Sequence, residues 1–534
     1  MLKRSSQFLF ALISLSFIIG CANRGTPSGG EKDVTPPEII RSTPENFTTN
    51  FTGDEIRIYF DEYIKVKDLQ KQLIISPPMD PEPDIIPLGT ASKYIRIKIK
   101  DTLLPNTTYA FNFGQSIVDN NEENPYPYYR YVFSTGETID SLSVSGQVMD
   151  ASNRVTDKFI SVMLYEVDST FTDSIVYKEK PKYVTNTLDS TTVFSIDNIK
   201  SGKYMLVALK EESGNFTFQP KTDKIGFHKE FIEVPTDSTY LIKLFQEELD
   251  FKALRPRQVA GQKIAFGYEG NYKGTTIDML DSKPEGSEIR ITKDKDVDTL
   301  YYWYKPKVEL DSTLFRITNN THVDTLKHRF RDLEKDSLTL SSEPRGTLKF
   351  DDDFTITGSV PFAKIDKSYI TIIDKDSLAV DYQTELDTLF NTYKFKFDKK
   401  EDETYKVQLL PNALTDFFGN VNDTLNYTLR TKDFTQYSDI RLRLINAKYP
   451  VIVQLVDDTN KVFYEQYVTE NKPVDFEHIA PKDYYIRVIF DENENGKWDS
   501  GNYLKGIQPE RISFYPEKVE ARANWINQPE FTLD

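Results

Sequence analysis

Apolar and charged residues alternate strictly in Ile95-Arg96-Ile97-Lys98-Ile99, and the same beat recurs in Ile56-Arg57-Ile58, Tyr393-Lys394-Phe395-Lys396-Phe397 and Ile440-Arg441-Leu442-Arg443-Leu444. Successive side chains of an extended backbone point to opposite faces, so a period of two gathers the apolar groups on one side and the charges on the other. Turn clusters such as Ser76-Pro77-Pro78, Ser213-Gly214-Asn215 and Gly419-Asn420 separate these runs, and helical periodicity is hard to find beyond the N-terminal apolar run. The pattern predicts an all-β chain of half-buried strands arranged as a tandem array of sandwiches.

At 534 residues the chain is too long for one core and suggests about three to five domains. Its 31 tyrosines and 35 phenylalanines beside 6 methionines suit strands better than helices. A formal charge of -17 argues against a nucleic-acid partner, because phosphate binding needs a basic surface. The single cysteine, Cys21, leaves the domains without intramolecular disulfides.

That cysteine follows an apolar run. Lys3 and Arg4 form a positive start, Phe8 to Ile19 is too short to span a bilayer, and Ile18-Ile19-Gly20-Cys21 closes the segment. The segment resembles a bacterial lipoprotein signal peptide, residues 1–20. The resemblance implies removal of that peptide, a diacylglyceryl thioether on Cys21 and an acylated, palmitate-type amine. Loss of Lys3 and Arg4 takes the formal charge from -17 to -19. With each buried methylene contributing roughly 0.8 kcal/mol, three acyl chains anchor a protein firmly. Ala22, where lipoproteins kept at an inner membrane often carry aspartate, favours the outer membrane. Residues 21–37, rich in Gly, Pro and Ser, read as a flexible tether.

Two internal displacements recur. Thr108-Tyr109, Tyr131 and Thr135 return as Thr404-Tyr405, Tyr427 and Thr431, a displacement of 296 from Tyr109 to Tyr405. Phe194, Ile196, Ile199 and Tyr204 return as Val474, Phe476, Ile479 and Tyr484, a displacement of 280 from Tyr204 to Tyr484. With Thr35-Pro36-Pro37, Ile58-Tyr59-Phe60-Asp61 and Leu104-Pro105-Asn106-Thr107-Thr108-Tyr109, residues 38–139 resemble a bacterial Ig-like domain of the SbsA type. Residues 346–437 resemble a diverged second copy. Residues 140–249, with Ser201-Gly202-Lys203-Tyr204-Met205-Leu206-Val207-Ala208, and residues 438–534 resemble the transthyretin-like or carboxypeptidase-regulatory-like sandwich. Residues 250–345 form a further β-domain of no recognised type. The order resembles Gram-negative outer-membrane surface lipoproteins, as in Bacteroidota.

The sharpest local constellation is Asp491-Glu492-Asn493-Glu494-Asn495-Gly496-Lys497-Trp498-Asp499. Side-chain oxygens at Asp491, Asn493 and Asn495, a carbonyl at Lys497 and the carboxylate of Asp499 match a calcium loop, although Asn502 stands where a bidentate Glu belongs. A metal-free hairpin accounts for the same residues, since Asn and Gly tolerate the left-handed conformation. No cofactor is otherwise required. Tyr126, Tyr128 and Trp303 lie in aromatic runs that could stack on glycans or anchor a protein partner, or simply fill a core. His228, His322, His328 and His478 fall in no catalytic motif, and the chain reads as non-catalytic. The resemblance implies a lipid-anchored outer-membrane scaffold or partner-binding subunit, exposed at the cell surface, of a β-barrel assembly, export or uptake complex. A carbohydrate-binding or adhesive surface protein is the alternative, with a hydrolase after it.

Overall fold

Alternation in sequence becomes alternation in burial. In the computed structural model, which describes residues 32–187, 191–281 and 284–533, strand Glu55–Val66 buries Ile56, Ile58 and Phe60 and exposes Arg57. Strand Ser438–Ile445 buries Ile440, Leu442 and Leu444 and turns Arg441 and Arg443 outward. Each apolar side chain taken out of water contributes roughly 1.5–3 kcal/mol, so a one-residue slip that reversed the faces would cost a sandwich its core. Among the described residues, regular structure other than strand amounts to the four-residue helix Leu69–Gln72 and three short 3-10 turns.

The chain divides into two compact units, Met1–Leu142 with Asp197–Lys200, and Ser143–Ile196 with Ser201–Asp534. The first unit holds one sandwich. One sheet orders Ile39–Thr43, Glu55–Val66, Ser92–Lys98 and Asp84–Ile86, and the other orders Ile74–Ser76, Thr108–Asn112 and Arg130–Ser134. Phe60, Ile95, Ile97, Phe111 and Phe133 meet in the core between them.

The second unit carries four successive pairs of sheets and, beside the pair near residues 340–430, the two-stranded sheet Phe362–Ile365 with Leu414–Asp416. The pair near residues 340–430 repeats the first unit strand for strand. Leu340–Glu343, Phe354–Gly358, Thr392–Lys396 and Gln383–Asp387 form one sheet, opposite Ile370–Ile373, Thr404–Leu409 and Leu425–Arg430. Even single hydrogen bonds recur at the displacement of 296. Leu104 N donates to the Tyr109 hydroxyl at 2.9 Å, and Lys400 N donates to Tyr405 at 2.7 Å. Thr107 N donates to Thr135 Oγ1 at 2.9 Å, and Glu403 N to Thr431 Oγ1 at 3.0 Å.

The sandwiches near residues 142–244 and 438–532 form the other pair. Tyr183–Asn186, Ser161–Glu166, Gly202–Lys210 and Lys224–Phe227 lie in the same order as Val462–Val468, Val451–Val456, Asp483–Phe490 and Ile512–Phe514. In both, the first strand of the opposite sheet pairs in parallel with the last: Leu142–Asp150 with Thr239–Leu244, and Ser438–Ile445 with Glu530–Thr532. Between them lies a pair of sheets near residues 252–329, with Phe266, Tyr302, Tyr304 and Phe315 in its core. For brevity the five are called the first to fifth sandwiches.

Candidate functional site

Cys21 lies outside the described residues. The structure therefore bears on the sites predicted downstream of it.

Loop 491–499 leaves strand Asp483–Phe490, and its hydrogen bonds run inward. The buried Asp491 carboxylate accepts from Asn495 N at 3.0 Å and Gly496 N at 2.8 Å. Asn493 Oδ1 accepts from Asn495 N, and Asn495 Oδ1 from Lys497 N. Both Asn side-chain amides donate to Asp499, whose other oxygen meets the Lys497 ammonium at 2.7 Å. The oxygens matched to calcium thus already serve amides and an ammonium. Among the described residues, no group of three or more His, Cys, Asp or Glu is assembled to hold a metal ion.

The equivalent turn in the second sandwich explains the role of Asp491. Glu211, 280 residues earlier, accepts from Asn215 N at 3.1 Å and Phe216 N at 2.8 Å, the same fourth and fifth amides. Phe216 has φ 58° and Gly496 φ 75°, so both turns pass through the left-handed region at the same place. A carboxylate caps this turn in both copies, with or without alternating Asn residues.

In the fifth sandwich the chain then runs on through Trp498 to Glu510 and inserts into the second. Tyr503 is buried beside Tyr177 and Phe227, with ring centroids at 6.2 and 5.4 Å. Its hydroxyl donates to Asp173 O at 2.8 Å, and its backbone N donates to Glu247 at 2.5 Å. Ser500 donates to Gln246 O and Gln508 to Phe227 O. Buried Glu510 ties off the insertion, accepting from Glu492 N and Asp499 N at 2.9 Å each. Burial pushes the carboxyls of Glu247 and Glu510 above the usual carboxylate range.

The sheets add to this contact. Val451, Val453 and Leu455 fill the fifth core, while Ile452, Gln454 and Val456 on the other face of the strand are buried as well. On that other face Gln454 accepts from Arg487, which donates to Ser152 O at 3.1 Å. Arg154 lies 4.3 Å over the Tyr485 ring, and Asn460 donates to Asn153.

Of the alternatives open to it, Trp303 fills a core and not a glycan or partner site. It is 1 % exposed, donates its indole N–H to Thr292 Oγ1 at 2.9 Å, and packs with Val360 and Phe417 of the fourth sandwich. Alternation on strand Thr299–Lys305 sends Tyr302 and Tyr304 into the third core and Trp303 to the opposite face, where the neighbouring sandwich covers it. No face of the ring is left for a sugar. Tyr126 is half-buried against the first core and packs edge-on to Tyr129 at 5.8 Å. Tyr128 stays 46 % exposed at φ 52°, its hydroxyl accepting from Gln115.

The histidines do not converge. His328 is buried, and burial pushes it down to about 4. His322 pairs with Asp324 at 2.9 Å, His228 packs on Tyr240, and His478 sits among Phe350, Phe434 and Tyr437. Sequence reasoning missed Tyr503 and Glu510. Their only signal was that the chain runs longer between Asp483–Phe490 and Ile512–Phe514 than between Gly202–Lys210 and Lys224–Phe227 of the second sandwich.

A family model for a bacterial Ig-like domain matches residues 33–135. No curated protein matches the chain. Among solved structures, surface layer protein SbsC, domains 1–6, is similar at 10% identity over 91% of this chain and 67% of that one, with a TM-score of 0.17. Titin domains A168–A170 are similar at 13% identity over 52% of this chain and 98% of that one, TM-score 0.14. The Bacillus anthracis TIE protein is similar at 11% identity over 95% and 76%, TM-score 0.13. Scores of this size define no common arrangement, and the fold rests on the chain's own sheets and the match at 33–135.

Proposed function

We propose that this protein is a lipid-anchored, cell-surface scaffold of the outer membrane that holds β-sandwich surfaces at fixed positions for a membrane partner. One observation carries the reading: the second and fifth sandwiches, some three hundred residues apart in sequence, bury Tyr503 and the outer face of strand Val451–Val456 where they meet. An unpartnered outer sheet face would stay polar and wet. A buried one fixes the separation and orientation of the modules, which is what a presenting scaffold needs. The Trp303 cluster between the third and fourth sandwiches and the Phe350, Phe434 and His478 cluster between the fourth and fifth support the same reading.

The Ig-like match at 33–135 supports a surface or structural role, and the leader-like segment 1–20 followed by Cys21 supports the anchor. Confinement to a membrane raises the effective concentration of the modules for a partner in the same plane. A β-barrel assembly, export or uptake complex is the partner class we favour. The reading requires neither a catalytic residue nor calcium.

Affinity purification of the full chain from membranes, combined with proteolysis of intact cells, tests the proposal. External cleavage with co-purification of a β-barrel is the expected result. Unchanged membrane retention of a Cys21→Ser variant would overturn the anchor, and a lone, protease-protected protein would overturn the surface scaffold.

A further inference from the structure

One cleft on the fifth sandwich has the make-up of a binding site and takes no part in docking to the second. It is an open groove of about 470 Å³, lined by Tyr515, Glu520, Arg522, Trp525, Asn527 and Gln528, among others. Trp525 is 57 % exposed, whereas Trp303 is buried and Trp498 is half-buried, its indole N–H donated to Glu510 O. Single exposed apolar side chains are common, but an indole beside carboxamides in a groove offers a flat apolar platform with polar groups at its edge.

The backbone beneath Trp525 is fixed. Its carbonyl accepts from Asp439 N at 2.9 Å and Ser438 Oγ at 3.0 Å, and its own N donates to Arg522 O at 3.2 Å. The platform is therefore set before any ligand arrives, which lowers the ordering cost of binding. The Arg522 guanidinium lies over one face of the ring, 5.5 Å from its centroid, and pairs with Glu520 at 2.8 Å, so the opposite face is the one offered to a ligand. Glu517 and Glu520 are matched by Lys518 and Arg522, so the lining carries no net formal charge. Asn527 Nδ2 is buried in the wall without a hydrogen-bond partner.

A ring face flanked by carboxamides, a carboxylate and a guanidinium suits a molecule with one apolar C–H face and hydroxyls around its edge. The Gln528 carboxamide can meet a pair of adjacent hydroxyls, while the indole takes the C–H face. Balanced charge disfavours phosphates and strongly acidic polymers. An apolar protein anchor would want a dry, apolar rim, which this lining does not supply. We infer that the cleft at Trp525 binds a short, uncharged oligosaccharide, with Trp525 as the stacking platform and the exposed Gln528 as hydroxyl partner. The inference does not depend on the membrane anchor.

Calorimetric titration of the full chain, in a detergent without a sugar headgroup, with cellotetraose, maltotetraose, mannotetraose and chitotetraose tests it. We expect saturable binding of at least one, with protection of tryptophan emission from iodide. Trp525→Ala should weaken it by at least about tenfold, Trp525→Phe less, and Gln528→Ala by about three- to tenfold. Because Trp525 is exposed, melting temperature should be unchanged in all three. Absence of saturation by any of the four at about 10 mM, or equal binding by Trp525→Ala, would overturn the inference.

Discussion

The second and fifth sandwiches share strand order, a parallel closing strand and a carboxylate-capped turn, yet that turn has two different fates. After Glu211 the chain stays at home: Phe218 N donates to Val176 O and the ring is buried within its own sandwich. After Asp491 it continues through Ser500 to Glu510 and plants Tyr503 in the neighbouring module. One loop therefore distinguishes twins that their cores do not. Strand pairing is held by alternation along the chain, which any sandwich can satisfy. Which sandwich packs on which is decided by a few side chains beyond the ladder.

Tyr503→Ala breaks the comparison most directly. The ring lies between Tyr177 and Phe227 and the hydroxyl satisfies Asp173 O, so truncation should cost about 3–5 kcal/mol of docking. Each sandwich keeps its own core, so calorimetry should show the fifth melting ahead of the rest, with new proteolysis between residues 500 and 510. A single unshifted transition would mean the insertion is incidental.

Removing the shared cap should cost less. Asp491→Ala leaves Gly496 N without its acceptor and Asn495 N with Asn493 Oδ1 alone, a loss of about 1–3 kcal/mol. Glu211→Ala, at a more open turn, should cost less than this. Because the Asp491 turn is closed by its own hydrogen bonds, chelators should leave the melting temperature of the wild-type protein unchanged. A calcium-dependent rise that vanished in Asp491→Ala would show the two turns to be chemically different after all. The first and fourth sandwiches give a matched control. Tyr109→Phe and Tyr405→Phe each delete one hydroxyl hydrogen bond to a backbone N–H and should each cost about 1 kcal/mol in denaturant titration.

How legible all this was follows from range. Alternation such as Ile440-Arg441-Leu442 is local and reports which face of a strand is inward, so strand type and both duplications could be read directly. Tyr109 and Tyr405 were identifiable because their partners, Leu104 and Lys400, lie five residues away. For Trp303 the sequence leaves binding and packing both open, because its cover, Val360 and Phe417, comes from another sandwich. Tyr503 was passed over for the same reason: Asp173 and Glu247 are distant in sequence, and no local period marks them. Trp525 belongs to no aromatic run and sits on no alternating strand. Its exposure is visible only once the cleft is assembled.

The smallest expected effect concerns the charge beneath the insertion. Burial raises the folded-state pKa of Glu247, even though the Tyr503 N–H donated to it acts in the opposite direction. A carboxyl raised in this way is most favourable when protonated. Its contribution is fully present below the ordinary glutamate value of 4.5 and is lost as pH climbs through the folded value. Glu247→Gln keeps an oxygen for Tyr503 N but cannot ionise, so the variant should gain stability over wild type at pH 7 and lose that advantage at pH 4.5. Glu510 is raised for the same cause and remains in both proteins, so the difference between the two pH profiles isolates Glu247. A constant difference across that range would place the Glu247 carboxylate in water and leave the insertion held by Tyr503 alone.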